Sequence, residues 1–377
     1  MIVLAPWRHY SEGTEIPGWR EHDAKAKYPV YRLELLRPLE VAAPASRLHS
    51  LWRWIRTDFP LRVRVFLKLH RIVRKHGIRT VCVGELISGS WVGLAAKYLL
   101  GCKMISYIHG EEITTETPYR FFGRQRRRYL NKADAIVAVS AFTKKALIRH
   151  MGAPPEKVTL IHNGVDTIRF QPGPKKAELI ARHQLVGKRI ILTVGRIVPR
   201  KGFDAVIRAM PKIVEKVPDA HYLIVGSGHF RANLEALVAQ CGVQAYVSFA
   251  GQVTDQELAD YYRLCDLFVM PNREMPDGDT EGFGLVFLEA NACGKPVIGG
   301  TAGGAVEAVH NEENGLLVDG WSVQDVAEAI TRLLMDATLY QRISQRGLEI
   351  AQASSSRAKA EEFQQLCARL EQGTTSF

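Results

Sequence analysis

Ile190-Ile-Leu-Thr-Val194-Gly195-Arg196-Ile-Val-Pro-Arg-Lys201-Gly202-Phe203-Asp-Ala-Val206-Ile207-Arg-Ala-Met210-Pro211-Lys-Ile-Val214-Glu-Lys-Val217 is the stretch that decides the fold. Its first five residues form a β-branched run, the mark of a strand buried on both faces. A glycine-bounded basic loop follows. Phe203, Val206, Ile207, Met210, Val214 and Val217 then recur with the 3.6-residue period of a helix that buries one stripe. Pro211 falls inside that pattern and predicts an interruption or a bend. Strand, loop and amphipathic helix make one unit of a parallel sheet covered by helices.

Working outward, the same alternation repeats along the chain. In the first half, strands are expected at Ile2–Leu4, Val30–Leu33, Thr80–Val83, Met104–Ile108, Ala135–Val139 and Val158–Ile161. In the second half they are expected at Ile190–Val194, Tyr222–Val225, Val247–Ala250, Leu267–Met270, Val297–Ile298 and Leu316–Val318. Phe170-Gln-Pro-Gly-Pro174 separates the two sets and reads as a linker. The expected architecture is α/β, with two doubly wound domains, 1–168 and 169–356, and a cleft between the carboxyl ends of their sheets. A polar-rich helix over 357–373 has no strand after it and is expected to pack back on the first domain.

The 377 residues suffice for two domains of ordinary size, and 46% hydrophobic with 24% charged residues is the balance of a globular protein. No apolar run approaches the length of a membrane span and no signal-peptide pattern opens the chain, so a cytoplasmic location is expected. Six scattered cysteines without a C-x-x-C pair read as reduced, mostly buried small side chains. The formal charge of +11 is concentrated: ten Lys/Arg lie between Arg47 and Arg79 against the single acid Asp58. Leu51, Trp52, Trp54, Ile55, Phe59, Val65, Phe66 and Leu69 interleave with them. Such a segment suits the surface of an anionic membrane, placing the protein peripherally on its inner face. It suits equally a helix pair that buries its apolar side and leaves its arginines in water. No nucleic-acid recognition motif accompanies the charge, and nucleic acid is not an expected partner.

The most informative chemistry lies in Asp277-Gly-Asp-Thr-Glu281-Gly282-Phe283-Gly284-Leu285-Val-Phe-Leu-Glu289-Ala-Asn-Ala-Cys-Gly294-Lys-Pro296. Gly282 and Gly284 permit close backbone approach ahead of a helix of about ten residues, and Gly294 with Pro296 ends it. The free N–H groups near Phe283, Gly284 and Leu285 offer a diphosphate site. Glu281 and Glu289, roughly 12 Å apart along a helix axis, could accept hydroxyl hydrogen bonds from the two ends of an extended ligand. An acid at each end of a capped core helix would need no ligand, but Glu289 among Leu288, Ala290 and Ala292 argues for a partner. Arg196 and Lys201, on a loop after a strand end, could clamp a diphosphate and stabilise it as a leaving group. A solvated basic loop fits them too. Gly226-Ser-Gly228 is a weak dinucleotide signal that a strand–helix turn alone explains, and no phosphate loop of the G-x-x-x-x-G-K-[ST] type is present. Asp277-x-Asp279 has the spacing of a carboxylate pair for Mg²⁺ or Mn²⁺ but reads as a polar loop, since cations already face the diphosphate.

From His109 to Val318 these pieces resemble glycosyltransferase family 4, retaining enzymes of the GT-B fold with two facing Rossmann-like domains. The resemblance rests on His109-Gly110, Asp134-x-Ile-Val-Ala-Val-Ser140, Asn163-Gly-Val-Asp166, Gly195-Arg196 with Lys201-Gly202, and Glu281-x7-Glu289. It implies a metal-independent hexosyltransferase without a cofactor, whose substrates are a nucleotide-sugar donor and a lipid-linked or glycan acceptor. It implies further that Arg196 and Lys201 bind the donor diphosphate, Glu289 the ribose, and Glu281 with Gly282, Phe283, Gly284 and Leu285 the sugar and phosphates. The loop Gly251–Thr254, with Val253, would line the base, and His109 would face sugar and acceptor, so that His109 and Glu281 are the catalytic pair. Val198-Pro-Arg-Lys201-Gly and the Glu281–Glu289 segment are most similar to the phosphatidylinositol mannosyltransferase group, which implies GDP-mannose as donor and a glycolipid or cell-envelope product.

Two other functions fit the same architecture: a nucleotide-sugar epimerase or sugar-phosphate synthase, and a non-catalytic nucleotide-sugar or membrane-binding module. The second draws on a departure from the family. Members open with a strand, a Gly-Gly loop and a long helix, whereas Met1–Pro6 resembles the second strand, and no helical period separates Leu4 from Val30. Two explanations compete: a start downstream of the true beginning, the favoured one, from which weak or absent transfer is expected, and a first strand that is merely unusual and glycine-poor.

Overall fold

The computed structural model describes residues 1–9, 13–39, 52–110 and 120–373. Among them the first half carries β1 (Val3–Pro6), β2 (Val30–Leu33), β3 (Thr80–Val83), β4 (Lys103–Ile108), β5 (Ala135–Ala138) and β6 (Val158–Leu160). The second half carries β7 (Arg189–Val194), β8 (Ala220–Val225), β9 (Val247–Gly251), β10 (Leu267–Met270), β11 (Val297–Gly300) and β12 (Gly315–Val318). All the expected strands are present, and their pairings are all parallel.

The second half forms one sheet in the order β9-β8-β7-β10-β11-β12. The order reverses between β7 and β10, so the crevice for a ligand opens beyond the carboxyl ends of those two strands. The helix Phe203–Lys216 covers this sheet through Phe203, Val206, Ile207, Met210 and Ile213, and it continues past Pro211 without interruption. Aliphatic burial of this kind stabilises a parallel sheet by removing both faces from water.

The first half divides into a β1-β2 pair and a four-stranded β3-β4-β5-β6 sheet. One core still joins them: Leu4, Leu33 and Leu36 pack with Val65, Leu69 and Val73 of the helix Phe59–His76 and with Val92 and Ala96 of the helix Leu86–Leu100. A helix, Trp19–Lys25, does lie between β1 and β2, contrary to the sequence expectation. It buries none of its residues, which is why no apolar period announces it.

The C-terminal helix Ser356–Gln372 lays Leu366 and Leu370 on Ile105, Ala135, Val137 and Ile161 of the first-half sheet. Its entry is fixed by Gly164, where a Cβ would stand 2.7 Å from the Ser356 Cα. Glu371 accepts a 2.9 Å hydrogen bond from Thr80 at the far end.

The basic segment has two apolar faces. Val65, Leu69, Ile72 and Val73 are buried, whereas Ile55, Phe59, Val63 and Leu67, each four residues apart, are 51%, 51%, 39% and 48% exposed. A π-helical turn, Trp54–Asp58, leads into this helix. Trp52 and Trp54 are exposed beside it, with the Arg56 guanidinium 4.9 Å from the Trp52 ring. Arg47 and Leu51 lie outside the described residues. All six cysteines are free thiols, three of them buried, and Cys82 is exposed rather than buried. Among the described residues, no helix is long and apolar enough to cross a membrane.

Candidate active site

The two strands at the switch point each deliver one side of the site. β7 runs into Gly195, and the backbone of that loop is pressed against the turn after β8. A Cβ on Gly226 would stand 1.9 Å from the Gly195 carbonyl oxygen, and one on Gly228 would stand 2.3 Å from that of Ile197. The glycines of Gly226-Ser-Gly228 therefore serve backbone packing, with Ile197 N–H donating to the Ser227 carbonyl at 2.9 Å. The loop closes in a 3₁₀ turn, Pro199–Lys201, ending at Gly202 with φ 73°. There a Cβ would meet the Pro271 carbonyl oxygen at 2.2 Å, so only glycine lets the loop rest on the end of β10. This turn drives Arg200 and Lys201 inward, and both are buried.

β10 delivers the opposing acids. Glu281 Oε2 accepts from Arg200 Nη1 at 2.9 Å and from Lys201 Nζ at 3.1 Å, while Arg200 Nε lies 3.2 Å from Asp279 Oδ2. Burial works to raise the Glu281 pKa, but the two cations outweigh it and hold the carboxyl below its ordinary value. Glu281 is therefore a carboxylate at neutral pH, able to accept two further hydroxyl hydrogen bonds. Asp279 is engaged with Arg200, and its backbone N–H donates to Asp277 Oδ1 at 3.1 Å.

The helix after this segment is shorter than its sequence suggests. It spans Leu285–Ala292, with Gly284 before it at φ 84°. Glu281 thus sits in the loop ahead of the helix, and the 12 Å axial spacing expected between Glu281 and Glu289 does not apply. Leu285 opens the first turn, while the backbone of Phe283 and Gly284 belongs to the approaching loop. Glu289 is the carboxylate of the second turn, and Tyr262 Oη donates to its Oε2 at 2.6 Å. Burial raises the Glu289 pKa, with the Tyr262 hydrogen bond and the more distant Arg169 opposing.

The two halves meet at Gly282. A Cβ there would stand 2.6 Å from the His109 carbonyl oxygen, and one on Gly110 (φ 111°) would stand 3.2 Å from the Gly282 Cα. The structure thereby brings His109, at the carboxyl end of β4, beside the Glu281 segment. The His109 imidazole is open to solvent yet crowded enough that desolvation lowers its pKa, which leaves it neutral at pH 7. Its ring lies 5.1 Å from that of Tyr107. Phe283 is buried, with its ring stacked on His162 at 5.6 Å.

Arg196 is exposed at the carboxyl end of β7, apart from the buried pair that engages Glu281. Val253 is half-buried just past β9, and the next residue, Thr254, caps the helix Asp255–Leu264 in a capping box with Glu257. Arg200 and Tyr262, which no motif spacing had marked, join these residues through Glu281 and Glu289, and the first lies between Arg196 and Lys201 on the loop already singled out.

Comparison with known proteins accords with this geometry. A family model described as glycosyl transferases group 1 matches residues 175–349, and one described as glycosyltransferase family 4 matches residues 25–169. A GDP-mannose-dependent alpha-(1-6)-phosphatidylinositol monomannoside mannosyltransferase of Mycobacterium tuberculosis is 36% identical over 274 residues, 72% of this chain and 71% of that protein. The chain belongs to glycosyltransferase family 4. The corresponding protein of Mycolicibacterium smegmatis is 31% identical to this glycosyltransferase over 85% of its chain and 80% of the relative's. The crystal structure of Anabaena HepE in complex with UDP and glucose superposes with a TM-score of 0.75 at 19% identity, covering 97% of this chain and 98% of that one. Sucrose-phosphate synthase from Thermosynechococcus elongatus does so with 0.71 at 24% identity, covering 99% of both chains. These likenesses make the fold of this glycosyltransferase GT-B.

Proposed function

We propose that this glycosyltransferase moves mannose from GDP-mannose to a phosphoinositide-type glycolipid in cell-envelope synthesis, with retention of anomeric configuration and without a metal ion. The observation that supports the site assignment is the close approach of the Gly282 backbone to that of His109, which brings the end of β4 beside the loop that carries Glu281. The mannosyltransferase relatives from two mycobacterial species support the donor and the acceptor class.

In this reading Arg196 and Lys201 hold the donor diphosphate, with the amides at Phe283, Gly284 and Leu285 completing its cradle. Lys201 would pivot from Glu281 toward the phosphates while Arg200 keeps the carboxylate in place. Glu281 would accept hydroxyl hydrogen bonds from the sugar, and Glu289 from the ribose; Val253 would line the base. The bond from the sugar's anomeric carbon to the phosphate oxygen breaks as the bond to the acceptor oxygen forms on the same face. The acceptor proton passes to the departing diphosphate, whose charge the two cations stabilise. His109, neutral at pH 7, would orient the sugar and the acceptor hydroxyl. Asp279 is held by Arg200, which supports a diphosphate neutralised by side-chain cations rather than by a carboxylate-bound metal.

The exposed stripe of Ile55, Phe59, Val63 and Leu67, flanked by Arg56, Arg64 and Arg71, supports docking on the anionic inner face of a membrane, where a lipid acceptor resides. The test is incubation of purified protein with GDP-mannose and phosphatidylinositol mannoside in mixed micelles after chelation of divalent ions. An α-mannoside product is expected, whereas hydrolysis alone, or epimerised donor without transfer, contradicts the assignment.

A further inference from the structure

Glu307 stands outside the donor segment yet reaches across to the first half. It lies on a four-residue helix, Ala305–Ala308, entered through Gly303 and Gly304. A Cβ on Gly304 would stand 2.0 Å from the Gly282 carbonyl oxygen and 3.1 Å from Ser140 Oγ, so the entry is wedged between the halves. From there the two Glu307 oxygens accept from the backbone N–H groups of Ala141 at 2.7 Å and Phe142 at 3.0 Å. These residues open the helix Ala141–Met151, whose own cap, Ser140, accepts only from the Thr143 N–H.

The first three amides of that helix have no intrahelical partner. Ser140 satisfies one of them, and a residue more than 160 positions away satisfies the other two. The carboxylate also meets the positive end of the helix dipole. His162 Nε2 adds a contact to Glu307 Oε2 at 2.9 Å, and its ring stacks on Phe283 in the loop that carries Gly282 and Glu281. Helix, Glu307, His162 and Phe283 therefore form one chain of contacts from the first half to the mouth of the donor helix.

We propose that Glu307 is a positioning residue: by capping the Ala141–Met151 helix from the opposite half, it holds the cleft closed in the register that sets His109 against the donor segment. Its carboxylate touches no reacting atom in this assignment. The inference rests on the function proposed above only for the meaning of the cleft, since the cap itself is a structural fact.

Glutamine at this position keeps the length but has one acceptor oxygen for two amides, and it lacks the charge. Glu307→Gln and Glu307→Asp in the full chain are compared with the parent by amide hydrogen exchange at Ala141 and Phe142, by small-angle scattering, and by steady-state kinetics. Expected for Glu307→Gln are at least tenfold faster exchange at both amides, a larger radius of gyration, and kcat reduced at least tenfold. GDP binding should stay within twofold, with Glu307→Asp recovering part of kcat. Unchanged exchange at the two amides overturns the proposal whatever happens to turnover, and so does faster exchange with unchanged kcat and KM. Failure of the parent to bind any nucleotide diphosphate would instead overturn the assigned function, and the exchange comparison would still judge the cap.

Discussion

Replacing Arg200 by Met tests whether the buried ion cluster, rather than the helix mouth alone, sets the state of Glu281. Arg200 is 9% exposed as a side chain and bridges Glu281, at 15%, to Asp279, at 28%. Removing one partner of a buried pair costs about 3–5 kcal/mol, because a charge is left without compensation. Here Glu281 keeps Lys201 and Asp279 can regain water, which places the loss near the lower end, about 3 kcal/mol. For a unit of this size each kcal/mol moves the melting temperature by about 2–4 °C, so the drop should be about 6–12 °C at pH 7.5. The pH dependence carries a sign. The folded pKa of Glu281 lies below its unfolded value, so its stabilisation is present above the unfolded value and is lost as pH falls through the folded one. The gap between parent and variant should therefore narrow as pH falls below about 4.5. Circular dichroism melts across pH 3.5–8 measure both quantities. A melting temperature within about 1 °C of the parent at pH 7.5, or a gap that widens in acid, would refute the reasoning.

Three further outcomes follow from the same structure. Tyr262→Phe removes the hydroxyl that donates to Glu289 and leaves a buried carboxylate short of a donor, so stability should fall by about 1–3 kcal/mol. The Glu289 pKa should rise further, and calorimetry should show weaker nucleotide binding. Gly226→Ala places a methyl 1.9 Å from the Gly195 carbonyl oxygen at φ 135°, and denaturant melts should show a loss of about 3 kcal/mol or more. Substituting Phe59 and Leu67 together by Ser should cut sedimentation with anionic vesicles at least about tenfold, a loss of about 1.4 kcal/mol, with little change in melting because both are exposed.

The strands were legible because each is a short, mostly apolar run, and the central ones, β5, β8, β10 and β11, are buried along their whole length, a pattern that needs no information from elsewhere in the chain. The Trp19–Lys25 helix was not, since its stability owes nothing to an apolar stripe. That Lys201 lies beside Glu281 was legible from motif spacing, which set both at the same end of the second-half sheet. Which cation of the Arg196–Lys201 loop turns inward was not, because it depends on the 3₁₀ turn at Pro199 and on Gly202 resting against Pro271. Tyr262 reaches Glu289 from a neighbouring helix, and Glu307 meets Ala141, Phe142 and His162 across 145 to 166 residues of sequence. Pairings of that range leave no local pattern. The Leu285–Ala292 helix is shorter than expected because it stops at Ala292, two residues before Gly294 and its φ of 72°, while Gly282 and Gly284 lie ahead of it as close-packed loop against His109 and Phe287.

The central claim is a donor site built by Lys201, Glu281 and Glu289 at the β7–β10 switch point. Titration calorimetry of GDP into the full chain, beside the Lys201→Ala variant, tests it most directly. Binding with one site per chain, weakened at least tenfold by the substitution, is the predicted result. Equal affinity in parent and variant, or no heat with any nucleoside diphosphate, would contradict it.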